Sequence, residues 1–354
     1  MTSHSSHQDE DALSAAIDAL LAEPLEECPQ ERLPALVGEL LCELVDNGLD
    51  ALPPPGEGDT LRRWRTLAAV AARDLSLAKL YEAHTDALAI LAEAGERELP
   101  HLAVWAVWCS EAPDAGLKAR PVPAENRLLL DGEKAWCSGA GAVTHALIGY
   151  RDDHGRACLA TLDLDQEGVE LVEDQWKAVG MAATRTARLR LRKASARPIG
   201  GPGFYLERPG FWQGGAGIAA CWHGAAAALA DQMRRRLAAR EQRDSHAMAR
   251  LGGTECALHA AACCLREAAD WIDRYPAADA MRIALRARLA AERAALQAIA
   301  DIGAALGPYP YCAQRRSARL LADLPVWLRQ SHAERDLAAL AALGIETEET
   351  PWRL

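Results

Sequence analysis

The sequence predicts an α+β protein in which helices and strands are segregated along the chain. Apolar residues recur with a helical period over residues 10–98, and short apolar runs bounded by turn residues fill residues 101–200. Long amphipathic segments then return towards the C-terminus. The 354 residues therefore divide into an N-terminal helical domain (1–100), a central strand domain (101–205) and a C-terminal helical domain (206–354).

Four helices are expected in the first hundred residues. The first has Leu13, Ile17 and Leu20 on one face, and the second repeats the pattern from Leu33 to Leu44. Three consecutive prolines at 53–55 interrupt the pattern. A third helix is predicted from Leu61 and a fourth over Leu75–Ala94.

Short apolar runs predict strands in the central domain. In the last of them, Leu189 and Leu191 alternate with arginines, which indicates one buried and one basic face. The basic face is expected either to attract phosphate groups or an acidic protein, or to pair with the acidic N-terminal region of the same chain. The predicted strands are His101–Cys109, Asn126–Leu130, Ala146–Tyr150, Ala157–Leu162, Val169–Val172 and Thr186–Arg192.

The C-terminal domain is predicted to consist of long helices. Gly214–Arg240 is apolar almost all round, which is typical of a centrally packed helix. Ser245–Asp273 and Ala277–Leu306 are amphipathic. A last helical region covers Gln314–Leu343, where Pro325 predicts a kink or a break.

Composition excludes several classes of protein. Residues 1–60 carry 14 acidic residues and one basic residue, in a chain of net charge −11, so we expect no nucleic-acid partner. No apolar run is long enough for a membrane span, and residues 1–11 do not resemble a secretory signal. The ten cysteines form no Cys-x-x-Cys pair and the histidines have no metal-ligand spacing, so we predict reduced thiols, no metal site and a cytoplasmic location.

Three motifs in the central domain occur in a fixed order. They are the Ser-Glu-x-Pro sequence Ser110–Pro113, the Gly-x-Lys-x-Trp-x-Ser sequence Gly132–Ser138, and the Gly-Met segment within Trp176–Thr184. Together with the helix–strand–helix order they make the chain resemble the acyl-CoA dehydrogenase family of flavoproteins. The resemblance covers nearly the whole chain.

This resemblance implies a fold and an activity. The fold has an N-terminal helical domain, a central β-barrel and a C-terminal four-helix bundle, with FAD between the barrel and the bundle. The implied activity is α,β-dehydrogenation of an acyl thioester, carried on CoA or on a carrier protein. An electron acceptor such as an electron-transfer flavoprotein is implied as a partner, and assembly into a homodimer or homotetramer is also expected.

The motifs also imply residues that contact the flavin. A flavin needs a flat apolar surface for its ring and hydrogen bonds along its polar edge. Trp136 and Ser138, two residues apart on one strand, are expected on the same strand face, with the indole against the ring and the hydroxyl at its edge. The segment from Trp108 through Cys109 to Ser110 is expected at the pyrimidine side.

Two functional features of the family are altered, the catalytic base and the arginine segment at the FAD pyrophosphate. Its base is a Glu, and the matching position here falls at Ser331 or His332. Because a neutral imidazole accepts a proton near pH 7, His332 is the first candidate for the base, and Glu334 is the second. Arg243 is the candidate for the arginine that contacts the FAD pyrophosphate across a subunit interface.

Two alternatives remain open at the level of sequence. The missing Glu and the presence of His332 favour a flavin-dependent monooxygenase or oxidase of the same superfamily. The altered base and phosphate positions favour a non-catalytic partner subunit, for which replacing His332 or Glu334 by alanine has no effect.

Overall fold

The protein is described here by a computed structural model that covers residues 13, 15–21, 24–173, 176–242, 244–346 and 352. It confirms an α+β protein with helices and a mixed sheet. The chain forms two compact units. The first comprises Met1–Ala22, Pro53–Leu75 and Trp212–Leu354, and the second comprises Glu23–Leu52 and Ser76–Phe211. The three-domain division of the sequence stays a prediction.

The N-terminal helices follow the apolar period of the sequence. Residues 15–21 and 24–27 are helical. Helix α1 (Leu33–Asp46) buries the stripe that runs from Leu33 to Val45, and α2 (Thr60–Arg73) begins soon after the three prolines. Helix α3 (Leu75–Glu93) ends one residue before its predicted limit.

Within the described residues, seven strands form one mixed sheet in the second unit, in the order β1-β4-β5-β7-β3-β2, with β6 paired to β7. β1 and β4 are parallel, and the other pairs are antiparallel. In the described residues no ladder joins β1 to β2, so the sheet is open and the predicted barrel is not confirmed. The strands are β1 Trp105–Trp108, β2 Leu117–Pro121, β3 Leu128–Cys137, β4 His145–Arg151, β5 Ala157–Asp163, β6 Val169–Val172 and β7 Ala187–Ile199.

Four strands differ from the expectations. β1 begins at Trp105 and not at His101, and β7 continues past its predicted end at Arg192 to Ile199. β2 was not predicted, because it is a short, exposed edge strand that ends at Pro121, and its apolar alternation is limited to Leu117 and Ala119.

β3 continues past its predicted end at Leu130 to Cys137. Register shifts between Leu130 and Gly132, and between Lys134 and Cys137, break its side-chain alternation and hide the strand from a period-two search.

The core of the second unit lies between α3 and the sheet. Ile90 and Leu91 of α3 pack with Trp105 of β1, Leu147 of β4 and Ile199 of β7, and all five are buried. These contacts join one helix to three strands that lie far apart in the sequence. The buried apolar cluster therefore fixes the sheet on which the motif residues stand.

The long helices of the first unit pack as a bundle. Helices α5 and α9 are joined by Gln232 and Ser317, α5 and α7 by Arg288 and the carbonyl of Gly215, and α6 packs along α7. No helix in the described ranges has the length and apolar character of a membrane span. The remaining helices are α4 Phe204–Glu207, α5 Gly210–Ala238, α6 Ser245–Arg274, α7 Met281–Leu306, α8 Tyr309–Cys312, α9 Arg315–Trp327 and α10 Glu334–Ile345.

Pro325 lies inside α9, two residues before its end at Trp327. The helix continues through it and tightens into a 3-10 turn over Leu328–Gln330. Near the end of a helix a proline removes few backbone hydrogen bonds, so it marks the helix end here.

Gly132 is expected to be intolerant of a side chain. Its φ is +126°, and a Cβ atom would lie 2.2 Å from the carbonyl oxygen of Gly116, the residue that precedes the neighbouring strand β2. Gly132→Ala should therefore lower the free energy of unfolding by about 2 kcal/mol through backbone strain and overlap. Chemical denaturation measures this. The matched control is Gly116→Ala, where a Cβ meets no atom within 4 Å, and an equal loss in both variants would contradict the explanation.

Candidate functional site

The end of β3 presents an exposed tryptophan. After the register shift that follows Lys134, Trp136 adopts a left-handed backbone with φ 58°, and 54% of its surface is exposed. The Ser138 N–H donates to the Trp136 carbonyl at 3.1 Å, which closes a tight turn. Ser138 therefore lies beyond the strand, and the expectation that regular alternation places both side chains on one strand face is wrong. The bulge sets their positions instead.

A row of three hydroxyl groups runs inward from this turn. Ser138 Oγ lies 2.9 Å from Thr186 Oγ1, and Thr186 Oγ1 lies 2.8 Å from Thr184 Oγ1. Thr184 donates its proton to the carbonyl of Met181 at 2.7 Å. Both threonines are buried and Ser138 is partly exposed. We call Ser138, Thr186 and Thr184 the hydroxyl row.

Backbone contacts fix the outer end of the hydroxyl row. Trp108 Nε1 donates to the Ser138 carbonyl at 3.0 Å, and the Gly139 N–H donates to the Thr184 carbonyl at 2.8 Å. Trp108 is 3% exposed, so its indole is part of the interior. Its observed contact positions Ser138, and a contact of Trp108 with a flavin stays a prediction.

Cys109 and Ser110, which follow Trp108, differ in environment. Burial raises the pKa of the Cys109 thiol to about 12, so the thiol stays protonated and unreactive at neutral pH. Ser110 is exposed. Roles of both in cofactor binding stay predictions.

Two adjacent grooves flank this region and share Ala112 and Ala135. The first has a volume of about 230 Å³ and the second about 160 Å³. The side chains that give the second groove its character are Trp136, Trp176, Thr186 and Arg188. The first is lined by Ser110, Glu111, Ala112, Ala115, Gly116, Leu117, Lys134, Ala135, Gly149, Tyr150 and Arg151.

The second groove holds a neutralised cation. Arg188 donates to Asp114 at 2.9 Å and to Glu133 at 2.8 Å, and it holds the pKa of both carboxyl groups below their usual range. Arg190 also pairs with Glu133, and with Glu170 of β6. The basic face of β7 is therefore paired with acidic residues of its own sheet region, which leaves less charge for the phosphates of CoA.

Lys134 of the Gly-x-Lys-x-Trp motif lies beneath the first groove. Its ammonium group donates to the Gly149 carbonyl at 2.9 Å, and burial lowers its pKa. The hydrogen bond joins β3 to β4, strands that are not neighbours in the ladder order. The observed role of this motif lysine is thus to join two strands under the groove.

The base candidates lie in the first unit. His332 is exposed, with Nδ1 3.5 Å from Asp336 Oδ1, and Glu334 is exposed in the first turn of α10. Ser331 is buried instead, and its hydroxyl donates to Glu292 at 2.6 Å. Base roles for His332 and Glu334 stay predictions. Arg243 lies outside the described residues.

Glu292 and Arg288 are polar residues that the sequence reasoning missed. They are 6% and 7% exposed and stand four residues apart on α7. Arg288 donates to the Gly215 and Gln330 carbonyls, and Arg329 lies 3.6 Å from Glu292. The sequence does hold a signal that could have identified them, because they are two charged residues within the apolar stripe of an Ala-rich helix.

Comparison with known proteins identifies the fold family. No family model and no curated protein matches the sequence, but solved structures match over nearly the full chain. The FMN-bound dibenzothiophene monooxygenase of Paenibacillus sp. A11-2 has a TM-score of 0.74 at 17% identity, over 96% of both chains. The chain has the acyl-CoA dehydrogenase fold.

Two further structures give the same result. The methanesulfinate monooxygenase MsuC of Pseudomonas fluorescens has a TM-score of 0.77 at 17% identity, over 96% of both chains. KijD3, solved with FMN and a dTDP-amino-keto sugar, has a TM-score of 0.74 at 22% identity, over 97% of this chain and 94% of that chain. Two of these three proteins were solved with FMN bound.

Proposed function

We propose that the protein is a flavin-dependent monooxygenase that binds its flavin along the second groove, against Trp136 and Ser138. The observation that carries the proposal is an exposed indole, held in a left-handed backbone beside a partly exposed hydroxyl. A non-glycine residue in this backbone region is strained, and such strain is concentrated at functional sites. Trp136 gains no burial in exchange for it.

The side chains present fit an isoalloxazine ring. Such a ring is flat and apolar on its faces and has hydrogen-bonding nitrogen and oxygen atoms along one edge. Trp136 offers an aromatic face, and Ser138 offers a hydroxyl held by the hydroxyl row. When bound, the flavin supplies the electron pair that an oxygenation or a dehydrogenation requires.

Three observations favour oxygenation over acyl dehydrogenation. The resemblance assigns the catalytic Glu to position 331 or 332. Ser331 is buried and donates to Glu292, and His332 is exposed. The arginines of β7 are paired with acidic neighbours. The fold neighbours named above include two monooxygenases, and two of the three proteins were solved with FMN. FMN is therefore proposed as the flavin in place of FAD.

Dehydrogenation of an acyl thioester with FAD is the second candidate. The Gly132–Ser138 motif is one of the three that carry the dehydrogenase resemblance, and Glu292 provides a buried carboxylate next to position 331. In this candidate an electron-transfer flavoprotein accepts the electrons. A homodimer or homotetramer and a cytoplasmic location are proposed in both cases.

His332 is proposed as the group that exchanges protons during the reaction. Asp336 contacts its Nδ1 and accepts its backbone N–H, so the ring and the turn are oriented by one carboxylate. Because Nδ1 faces Asp336, Nε2 lies on the opposite side of the ring, where it can accept or donate a proton as a general base or acid. Glu334 is the second candidate and lies exposed in the first turn of α10.

The two candidates predict different reactions of the purified protein. With reduced FMN, a monooxygenase should change the rate of flavin reoxidation by oxygen and transfer ¹⁸O from ¹⁸O₂ to a probe such as indole or methanesulfinate. A dehydrogenase should instead lose its oxidised FAD absorbance when acyl-CoA is added without oxygen. A protein that binds neither flavin in either redox state would contradict both and favour the non-catalytic subunit.

A further inference from the structure

We propose that the first groove binds an oxyanion, the carboxylate, sulfinate or phosphate group of a small acidic substrate. The inference rests on the proposed function for the place of the flavin in the second groove, and it adds a substrate class. Its structural basis is a buried ammonium group beneath the first groove, for which the described residues supply no carboxylate partner.

Lys134 is buried to an unusual degree for a lysine. It is 5% exposed and lines the first groove. An ammonium group has three N–H donors, and in the described part of the chain one of them has an acceptor, the Gly149 carbonyl at 2.9 Å. No carboxylate oxygen of the described residues lies within 4.0 Å of the Lys134 Nζ atom. Lysine is almost never fully buried unless it is paired.

The missing carboxylate has an energetic consequence. A buried charge is costly unless a counter-charge and hydrogen bonds compensate for it. Burial accordingly lowers the pKa of the Lys134 ammonium group. The Glu111 carboxylate opposes this shift, but Arg151 binds it at 2.9 Å and holds it away from the ammonium group. A ligand oxyanion at the two remaining N–H groups would supply the charge and the acceptors that the chain itself does not.

The other side chains of the first groove suit a small anion. The charged residues that line it are Lys134, Arg151 and Glu111, so two cations and one anion leave a formal charge of +1. Ser110 adds an exposed hydroxyl group. The volume of about 230 Å³ leaves room for an oxyanion with a short organic part.

The first groove also lies in a suitable place for a substrate. It shares Ala112 and Ala135 with the second groove, where we propose the flavin. Both shared residues carry only a methyl group as side chain. A substrate held by its acidic group at Lys134 can therefore extend over them towards the flavin.

Replacing Lys134 by methionine tests the site. Methionine keeps most of the volume and removes the charge, so the dissociation constant of inorganic phosphate or of methanesulfinate should rise by roughly 10- to 150-fold, which corresponds to hydrogen bonds with a charged group. The matched control is Lys118→Met, because Lys118 is an exposed lysine of β2 that does not line the groove. It should keep the wild-type affinity. Calorimetric titration of the purified full chain in Tris chloride at constant ionic strength measures these values.

Glu111→Gln is a second variant, at an exposed position. It removes the acidic side chain from the lining residues and releases Arg151, so phosphate should bind about 2- to 5-fold more tightly than in the wild type. This variant decides the inference if Lys134→Met does not fold.

Four outcomes separate the ideas. Absence of phosphate and methanesulfinate binding to the wild type, or unchanged affinity in Lys134→Met, overturns the inference and leaves the proposed function standing. Weaker phosphate binding by Glu111→Gln also overturns it. Phosphate binding that persists when the protein is saturated with FMN supports a substrate site, whereas displacement of phosphate by FMN but not by riboflavin overturns the assignment to a substrate. Failure of the wild type to bind FMN or FAD in either redox state overturns the proposed function itself, while the phosphate titration still decides the oxyanion site.

Discussion

Replacing Trp136 by alanine is expected to weaken flavin binding by roughly 5- to 150-fold, because stacking of a flat heterocycle on an aromatic side chain contributes about 1–3 kcal/mol. The indole is 54% exposed, so little packing within the protein is lost. The free energy of unfolding should therefore change by less than about 1 kcal/mol. The binding loss is measured by quenching of flavin fluorescence on titration.

The control for Trp136→Ala is Trp352→Ala. Trp352 is 81% exposed and belongs to none of the lining residues of the two grooves. It should leave flavin affinity unchanged. Equal affinities of wild type and Trp136→Ala would show that the flavin does not stack on this residue, and the second groove would lose its place in the proposal.

Replacing His84 by leucine is expected to lower the free energy of unfolding by about 4 kcal/mol, because it leaves two polar groups without their partner. His84 is fully buried. Its Nδ1 accepts the backbone N–H of Trp105 at 3.0 Å, so Nε2 carries the ring proton and donates to Asp50 at 2.9 Å. Leucine fills the volume and makes neither bond.

Urea denaturation of His84→Leu and of His154→Leu provides the comparison. His154 is exposed in the β4–β5 turn, and its backbone N–H, not its ring, bonds to Asp152. His154→Leu should change stability by no more than about 0.5 kcal/mol. A loss below about 1 kcal/mol for His84→Leu would mean that the two hydrogen bonds do not position β1.

The effect of His84 should extend to the candidate site. His84 holds the first residue of β1, and the last residue of β1 is Trp108, whose indole holds the Ser138 carbonyl. A displaced strand would move this anchor. In the fraction of His84→Leu that remains folded, flavin affinity should therefore fall as well.

The sequence by itself determined the order of helices and strands and the motif residues. The apolar period placed α1 and α3 within a few residues, because burial of one helix face is a local, repeating demand. The motif Gly132–Ser138 directed attention to Trp136 and Ser138, although it placed both side chains on one strand face. Its resemblance to acyl-CoA dehydrogenases agreed with the fold that the comparisons show.

Only the tertiary structure decided how the motif residues are used. Trp136 is exposed because of the bulge before it, not because of regular strand alternation. A register shift depends on the paired strand, so the local sequence does not predict it. The hydroxyl row joins Ser138 to residues 46 and 48 positions later, and no local pattern announces such a contact.

The buried polar residues of the bundle were likewise a tertiary result. Glu292 lies in an Ala-rich helix whose composition predicts an apolar face, and its partner Ser331 comes from another part of the chain. A buried carboxylate is stable only where its hydrogen-bond donors are brought to it. Local sequence fixes which residues are polar, while the packing of distant segments decides which of them have partners, and those partners set their chemistry.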